Sequence, residues 1–499
     1  LFWLLSLPAH AEEPESSPAL GLPPNAPESG PVPGGIAPAY HHAPKDRNDW
    51  RFDFHGMLMV PLRAGIGERE VVQAKQQKMT LHAPPVVPDY DDSFLYTGVV
   101  PQSYVNLLFT YGNPVVTGNI SVVSRQPRTG SSYYDPPLNP GIQDAYVHFN
   151  LRELMRNARF DVNVGAFTQR YGIMGEWDEG RYATPLIART NGIGEAIGAA
   201  FQFGKFALLI NQEIQGQGEK PWNGMVGDWW NDFADPRTGS GFVFGEHLGL
   251  NYAGLATLGL HHLTAFTQDD RASQNAQPDG RITALGADLR LTLGRFGHFY
   301  FGTASHSLDY ARSVGNIIEI LNVAGGAGLM QEYLGPQSAG TGSLFTIGAQ
   351  YDLSLAKLLY YPIPFYGEGP DIVVSLFGMQ THVSSNDKST RPDGSSLYDD
   401  VTKRKFGIEA SYALLAWFGV SARFDQVWPD VNYTDTAYAE LSPRLLFRSG
   451  WNAHDQVALQ YTHFFYGSQT MVRGGYPPRL DPTLVPDENM LALTASFWW

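Results

Sequence analysis

From Trp50 onward the chain alternates apolar and polar positions. In ALGADLRLTL, Leu285, Ala287, Leu289, Leu291 and Leu293 oppose Gly286, Asp288, Arg290 and Thr292; in KFGIEASYALL, Phe406, Ile408, Ala410, Tyr412 and Leu414 oppose Gly407, Glu409, Ser411 and Ala413. A period of two puts each set on its own side of a strand. The pattern predicts strands over 50–63, 103–111, 115–126, 142–151, 158–168, 195–203, 205–214, 243–252, 255–267, 281–293, 297–308, 343–353, 369–382, 404–414, 418–427, 438–448, 455–465 and 489–499. That is eighteen, with sixteen as the alternative count, and each is close to the ~9–11 residues that a tilted bilayer-spanning strand needs. Pro61 and Pro443 fall inside strands, where a missing N–H predicts a bulge or else a different register at those positions.

The connections carry a second regularity. Tight turns (112–114, 204, 253–254, 294–296, 415–417) interleave with nine long segments, at 64–102, 127–141, 169–194, 215–242, 268–280, 309–342, 383–403, 428–437 and 466–488. Long structureless loops are uncommon in compact soluble domains. Their regular alternation with tight turns predicts an up-and-down, antiparallel transmembrane β-barrel, all-β in class, with short periplasmic turns and long extracellular loops. The stretch 356–370 is long for a periplasmic turn and reads as strand extension plus an interfacial segment.

Alternation alone does not say which face is buried, and two soluble β-sandwiches would alternate as well. They would explain neither the loop asymmetry nor the end of the chain, ENMLALTASFWW, whose apolar face runs to the last residue. Eighteen strands in one cylinder enclose a lumen too wide for side chains to fill, so the polar face is assigned to the inside. Tyr and Trp gather near strand ends (Trp50, Trp417, Trp428, Tyr461, Trp499), as an interfacial girdle would.

Before the first strand the pattern is different. LFWLLSL followed by PAHA predicts the remnant of a signal peptide over residues 1–11, cut after Ala11. Residues 12–48 hold nine prolines and predict a disordered periplasmic tail, leaving 49–499 for the barrel. Composition then narrows the function. A formal charge of −15 without a basic stripe argues against nucleic acid. The absence of cysteine removes disulfides and thiolate metal sites. The acid pairs Asp91-Asp92, Asp269-Asp270 and Asp399-Asp400 lack the spaced ligands of a calcium loop and read as solvated charge, so no metal or cofactor is expected. Neither a zinc-protease helix motif nor a nucleophile elbow occurs, and no enzymatic activity is expected.

The terminal strand resembles the assembly signal of Gram-negative outer-membrane proteins, carried here by Leu493, Ala495, Phe497 and Trp499. That resemblance implies insertion by the outer-membrane barrel-assembly machinery into lipid and lipopolysaccharide. The opening FDFHG…RAGIG and the final Trp-Trp resemble maltoporin-type sugar channels, which have eighteen strands. IQDAYVHFNL followed by VGAFTQRYG is similar to paired strands of several specific porins. MLMVPL in the first strand departs from the maltoporin pattern, and no aromatic slide matches it residue by residue.

Function is therefore sought in the lumen. Asp288, Arg290, Glu409, Arg423, Asp425, Glu440, Arg444 and Arg448 are expected to line the pore, with Glu409 opposite Arg423 and Arg444 on the next strand. Such an array sets a transverse field, or else pairs across the wall and stiffens it. Two long loops offer a constriction: the third, with Glu176, Asp178 and Arg181, and the sixth, with Ile317 and Leu321 on an apolar helical pattern. Tyr146, Phe167 and Tyr300 are candidate rings for sugar faces. The expected function is passive diffusion of small hydrophilic solutes through an outer-membrane porin, with a carbohydrate-selective subtype favoured and both monomer and homotrimer open. A plugged barrel scaffolding another envelope component, or an outer-membrane lipid hydrolase, are the alternatives.

Overall fold

The structure is a computed structural model and describes residues 50–66, 104–113, 115–125, 139–151, 158–173, 185–217, 241–267, 279–310, 341–360, 370–386, 400–428, 431–432, 434, 437–450, 455–466, 470–472, 479–481 and 488–498. In chain order the strands are β1 (Arg51–Ile66), β2 (Tyr104–Gly112), β3 (Val116–Arg125), β4 (Asn139–Asn150), β5 (Ala158–Ile173), β6 (Pro185–Phe203), β7 (Phe206–Gln217), β8 (Gly241–Tyr252), β9 (Ala256–Thr267) and β10 (Arg281–Thr292). Then follow β11 (His298–Asp309), β12 (Gly342–Ser354), helix α1 (Leu355–Tyr360), β13 (Asp371–Ser385), β14 (Val401–Leu415), β15 (Phe418–Trp428), β16 (Tyr438–Phe447), β17 (Asp455–Tyr466), the short β18 (Thr470–Val472) and β19 (Arg479–Asp481), and β20 (Glu488–Trp498).

All eighteen expected strands are present, and each pairs antiparallel with its neighbour in sequence. The ring closes because β20 pairs on one side with β17 and on the other with β1, Leu493 facing Leu459 and Leu62 respectively. Every long strand thus has two partners, and the architecture is an eighteen-stranded transmembrane β-barrel with no free edge.

The two faces differ as the alternation requires. On one, Leu248, Leu250, Leu258, Leu260, Phe406, Ile408, Leu441, Leu445, Leu491, Leu493 and Phe497 are exposed; this is the outer face. Side chains of the other face meet those of strands that are not their neighbours, so it is the inner one: Tyr171 of β5 reaches Glu213 of β7 and His261 of β9. Rings gather at the short-turn ends of the outer face, where Trp50 meets Tyr111 at 5.4 Å, Phe206 meets Tyr252 at 4.8 Å and Phe418 lies 5.6 Å from Trp417. Near the other end, Phe242 and Phe266 stand 5.7 Å apart. These are the two rims of an apolar belt.

Four expectations are corrected. Pro443 makes no bulge: the β16–β17 ladder has the same register before it, Leu441 to His463, and after it, Arg444 to Gln460, with two pairs skipped between. Pro61 lies in an unshifted ladder with β20 and beyond Met59, the last β1 residue that β2 pairs, so no ladder bond is lost on that side. Residues 355–360 are helix rather than extended strand. Ser354 caps α1, its hydroxyl accepting from the Lys357 N–H at 3.0 Å, while an Asp371 carboxylate oxygen accepts from the Ala356 N–H at 2.8 Å. Much of the third predicted loop is strand: β5 continues to Ile173 and β6 begins at Pro185. In the last long connection β18 and β19 form a small hairpin that alternation over three residues does not reveal. The signal-peptide and tail segments over 1–48 lie outside the described residues.

Candidate functional site

The extended β5–β6 hairpin dominates the lumen, and local backbone chemistry explains why it leaves the wall. β4 pairs with β5 only as far as Ala166, and β7 pairs with β6 only from Ile193 onward. Beyond those points the two strands hold each other, Gln169 against Thr190 and Tyr171 against Ala188, with no wall neighbour on either side among the described residues. Glycines stand at the departure. Gly165 has φ +134° and approaches the backbone of Ala145 and Tyr146 so closely that a Cβ would lie 2.4 Å from a carbonyl oxygen. A Cβ on Gly194 would lie 1.9 Å from the carbonyl oxygen of Ile214.

Inside the barrel the hairpin is tied down by polar bonds. The Tyr171 hydroxyl donates to Glu213 Oε1, and the Thr190 hydroxyl donates to the same oxygen at 3.1 Å. Gln215 Nε2 donates to the Phe167 carbonyl at 3.2 Å. The Tyr171 ring stands edge-on to that of His261, centroids 6.1 Å apart. Its hydroxyl occupies the space where a side chain on Gly245 would be, since a Cβ there would lie 2.0 Å away.

The hairpin also has an apolar seat. Val243, Leu263, Ala265, Ile282, Ala284, Leu308 and Leu344 point inward from β8–β12 and are fully buried. Strand β5 touches β9, β10 and β11 across the interior, and β6 touches β10 and β11. Apolar side chains facing a wet lumen would be costly; here they form a dry sector on the side to which the hairpin crosses.

Below and opposite lies a polar lining. His247 and His261 contact through their Nδ1 atoms at 3.0 Å, and His261 Nε2 is 3.2 Å from an Asp288 carboxylate oxygen. Gly259 opposite Asp288 makes room for that carboxylate, since a Cβ would lie 2.5 Å from it. Arg290 lies over the Tyr300 ring at 6.0 Å. On the far wall, Glu409 faces Arg423 in register, yet its ion pair is with Arg444 at 2.7 Å, and the hydroxyls of Ser411 and Ser421 donate to the same carboxylate. Arg423 turns along its own strand to Asp425 at 2.6 Å, with Lys405 Nζ 3.9 Å from that acid. Glu440 is buried beside Asp425 in register. Between these walls, His148 Nδ1 is 2.7 Å from Asn163 Oδ1, and Arg159 pairs with Asp161 at 2.7 Å.

Of the expected pore residues, Asp288, Arg290, Glu409, Arg423, Asp425, Glu440 and Arg444 lie on inner-face positions of their strands. Arg448 does not: β16 ends at Phe447, and the Arg448 backbone N–H donates to the Trp417 carbonyl in the short connection. Glu176, Asp178, Arg181, Ile317, Leu321 and Trp499 lie outside the described residues. Leu493, Ala495 and Phe497 occupy the outer face of β20. The rings proposed for sugar contact are engaged by neighbours, Tyr146 against Phe167 at 6.2 Å and Tyr300 beneath Arg290.

Sequence reasoning missed Tyr171, Thr190, Glu213, His247, His261 and Lys405. Alternation in LLINQEIQ, with Asn211, Glu213 and Gln215 on one side, was the signal for Glu213. Tyr171 and Thr190 had none once the strands were ended at 168 and begun at 195.

No protein-family model matches the chain. No curated protein matches it either. Among solved structures, the fold is similar to that of OccK1 (OpdK) of Pseudomonas aeruginosa, with 10% identity, 90% of this chain and 98% of that one covered, and a TM-score of 0.41. It is similar to OccD3 (OpdP) of the same organism, with 9% identity, 91% of each chain covered and a TM-score of 0.39. It is also similar to the outer membrane protein OprD of Pseudomonas aeruginosa, with 9% identity, 90% and 93% covered and a TM-score of 0.36.

Proposed function

We propose that this chain is a channel of the bacterial outer membrane through which small hydrophilic solutes diffuse down their gradient. The observation that carries the reading is the division of one closed wall into an apolar outside and a charged inside, narrowed by the β5–β6 hairpin. A solute crossing it passes between the histidine–aspartate row of β8–β10 and the Arg444–Glu409 and Arg423–Asp425 pairs of β14–β16, a field that sorts by charge and dipole. The barrel needs no bound group for this, and no chemical step is assigned to it. Lipid and lipopolysaccharide surround it, and the barrel-assembly machinery inserts it through the apolar face of β20.

Planar-bilayer recording of the purified protein tests the proposal. Discrete ohmic steps are expected, and their absence overturns the channel. The carbohydrate-selective subtype is a finer proposal, supported by the residue patterns at the two ends of the chain. It requires added sugars to reduce the current in a concentration-dependent way. The plugged-barrel reading draws on the dry inner sector of β8–β12, and it would be favoured by a silent protein that conducts once the hairpin is released.

A further inference from the structure

On the outer face, one row of polar side chains spans three neighbouring strands. On β7, β8 and β9, Gln212, Glu246 and His262 lie side by side in register and point outward. Glu246 Oε2 and His262 Nδ1 are 3.2 Å apart, and the side chains are 51% and 35% exposed. The other ring nitrogen of His262 contacts the Thr264 hydroxyl at 3.2 Å. The row is confined to three strands: the next residues in register are Ile197 on β6 and Leu285 on β10, both exposed and apolar. Along the strands it is bracketed by Ile214, Phe244 and Thr264 on one side and by Ile210, Leu248 and Leu260 on the other.

Its depth matters. Glu246 is four residues from Phe242 at one rim of the belt and six from Tyr252 at the other. At ~3.4 Å per residue and a tilt of ~40°, that is roughly 10 Å inside one rim and roughly 16 Å from the other. A carboxylate and an imidazole there face hydrocarbon, which solvates neither. Of the other charged outward residues, Glu195 on β6 pairs with Ile214 and so lies two residues nearer the Phe242 rim, while Arg404 of β14 bonds Gln380.

We propose that this polar seam is where a second copy of the chain docks, seam against seam; the inference rests on the membrane reading above. The seam carries acceptors in the Glu246 carboxylate and donors in the Gln212 amide, so two copies related by a two-fold axis can exchange hydrogen bonds and withdraw both pairs from lipid. The apolar residues bracketing it form the surrounding contact, an arrangement of buried polar centre within a dry ring. Lipid tails offer no hydrogen bonds, and headgroups lie at the belt rims rather than at this depth.

The chain contains no cysteine, so single introduced thiols report contacts without background. Ile214→Cys and Leu248→Cys flank the seam; Leu441→Cys lies on the outer face of β16, on the opposite arc. In dilute lipid vesicles treated with a mild oxidant, the first two should form disulfide-linked dimers and the third should stay monomeric. Adding Gln212→Leu, Glu246→Leu and His262→Leu to Ile214→Cys should cut the dimer at least tenfold, with heat-modifiable gel migration showing that the barrel is folded; Glu246→Ala alone should lower it less. No dimer at either flanking site, equal linking through Leu441→Cys, or undiminished linking after apolar replacement overturns the proposal. Bilayer conductance of the same samples separates the two readings. A conducting monomer removes the seam and keeps the channel, whereas a silent linked dimer does the reverse.

Discussion

Glu409 shows how a lumenal charge is held. Its neighbour in register is Arg423, but the nearest guanidinium is that of Arg444, 2.7 Å away on the strand beyond, and two serine hydroxyls complete the carboxylate's shell. Arg423 is taken up by Asp425 two residues along its own strand. Alternation placed all four residues on one face but not their pairing, because long side chains reach diagonal partners as readily as direct ones. Removing Arg444 takes away the ion-pair partner of Glu409 and leaves the serine hydroxyls, with Arg423 across from it in register. Arg444→Gln should therefore cost about 2 kcal/mol, the worth of a hydrogen bond to a charged group, and make the pore more cation-selective. Urea unfolding in vesicles and the reversal potential in a salt gradient measure the two effects, and an unchanged reversal potential would place Glu409 outside the conducting path.

At the scale of elements, the hairpin is where sequence and structure part. Strands bounded by lipid outside and polar groups inside have a strict period, and their existence was legible nearly to the residue in β9, β10 and β15. The part of the hairpin that leaves the wall obeys neither boundary. TNGIG looks like a loop because three of its residues are turn formers, whereas those small residues let β6 approach β7 and then depart. The apolar seat was hidden for a related reason. Ile282 and Ala284 point inward between outward Arg281, Thr283 and Leu285, so the alternation is reversed at this end of the strand and runs against a polar inner face. Gly245 offers the sharpest test of the hairpin's placement. Gly245→Val puts a branched side chain where the Tyr171 hydroxyl sits, and it pushes that ring off its seat against Glu213 and His261 and strains the hairpin that carries it. Single-channel conductance should rise in Gly245→Val and return toward the parent value in the double variant Gly245→Val/Tyr171→Ala, in which the ring is gone. Equal conductance in all three proteins would mean that the hairpin does not limit flow.

For the whole molecule the governing fact is that the wall separates two solvents, and adjacent residues meet different ones. Leu493 and Thr494 are consecutive in β20, whose flanks are β17 and β1. Leu493 is exposed on the outer face, and Thr494 shares the inner face with the buried Ala492 and Met490. A lysine in the first position has hydrocarbon for a solvent and costs ~2–4 kcal/mol near the membrane midplane. In the second it faces the lumen, where a half-buried threonine already stands and the long side chain can carry its ammonium group toward water. Leu493→Lys should therefore lower the unfolding free energy in vesicles by that amount, and Thr494→Lys by less than about 1 kcal/mol. The contrast does not depend on which solute passes, on the oligomeric state or on the hairpin, because it arises from period two and a closed ring alone. Equal losses at both positions would mean that the two faces share one environment. A larger loss at Thr494 would place lipid on the inside, and the barrel would have to be turned inside out.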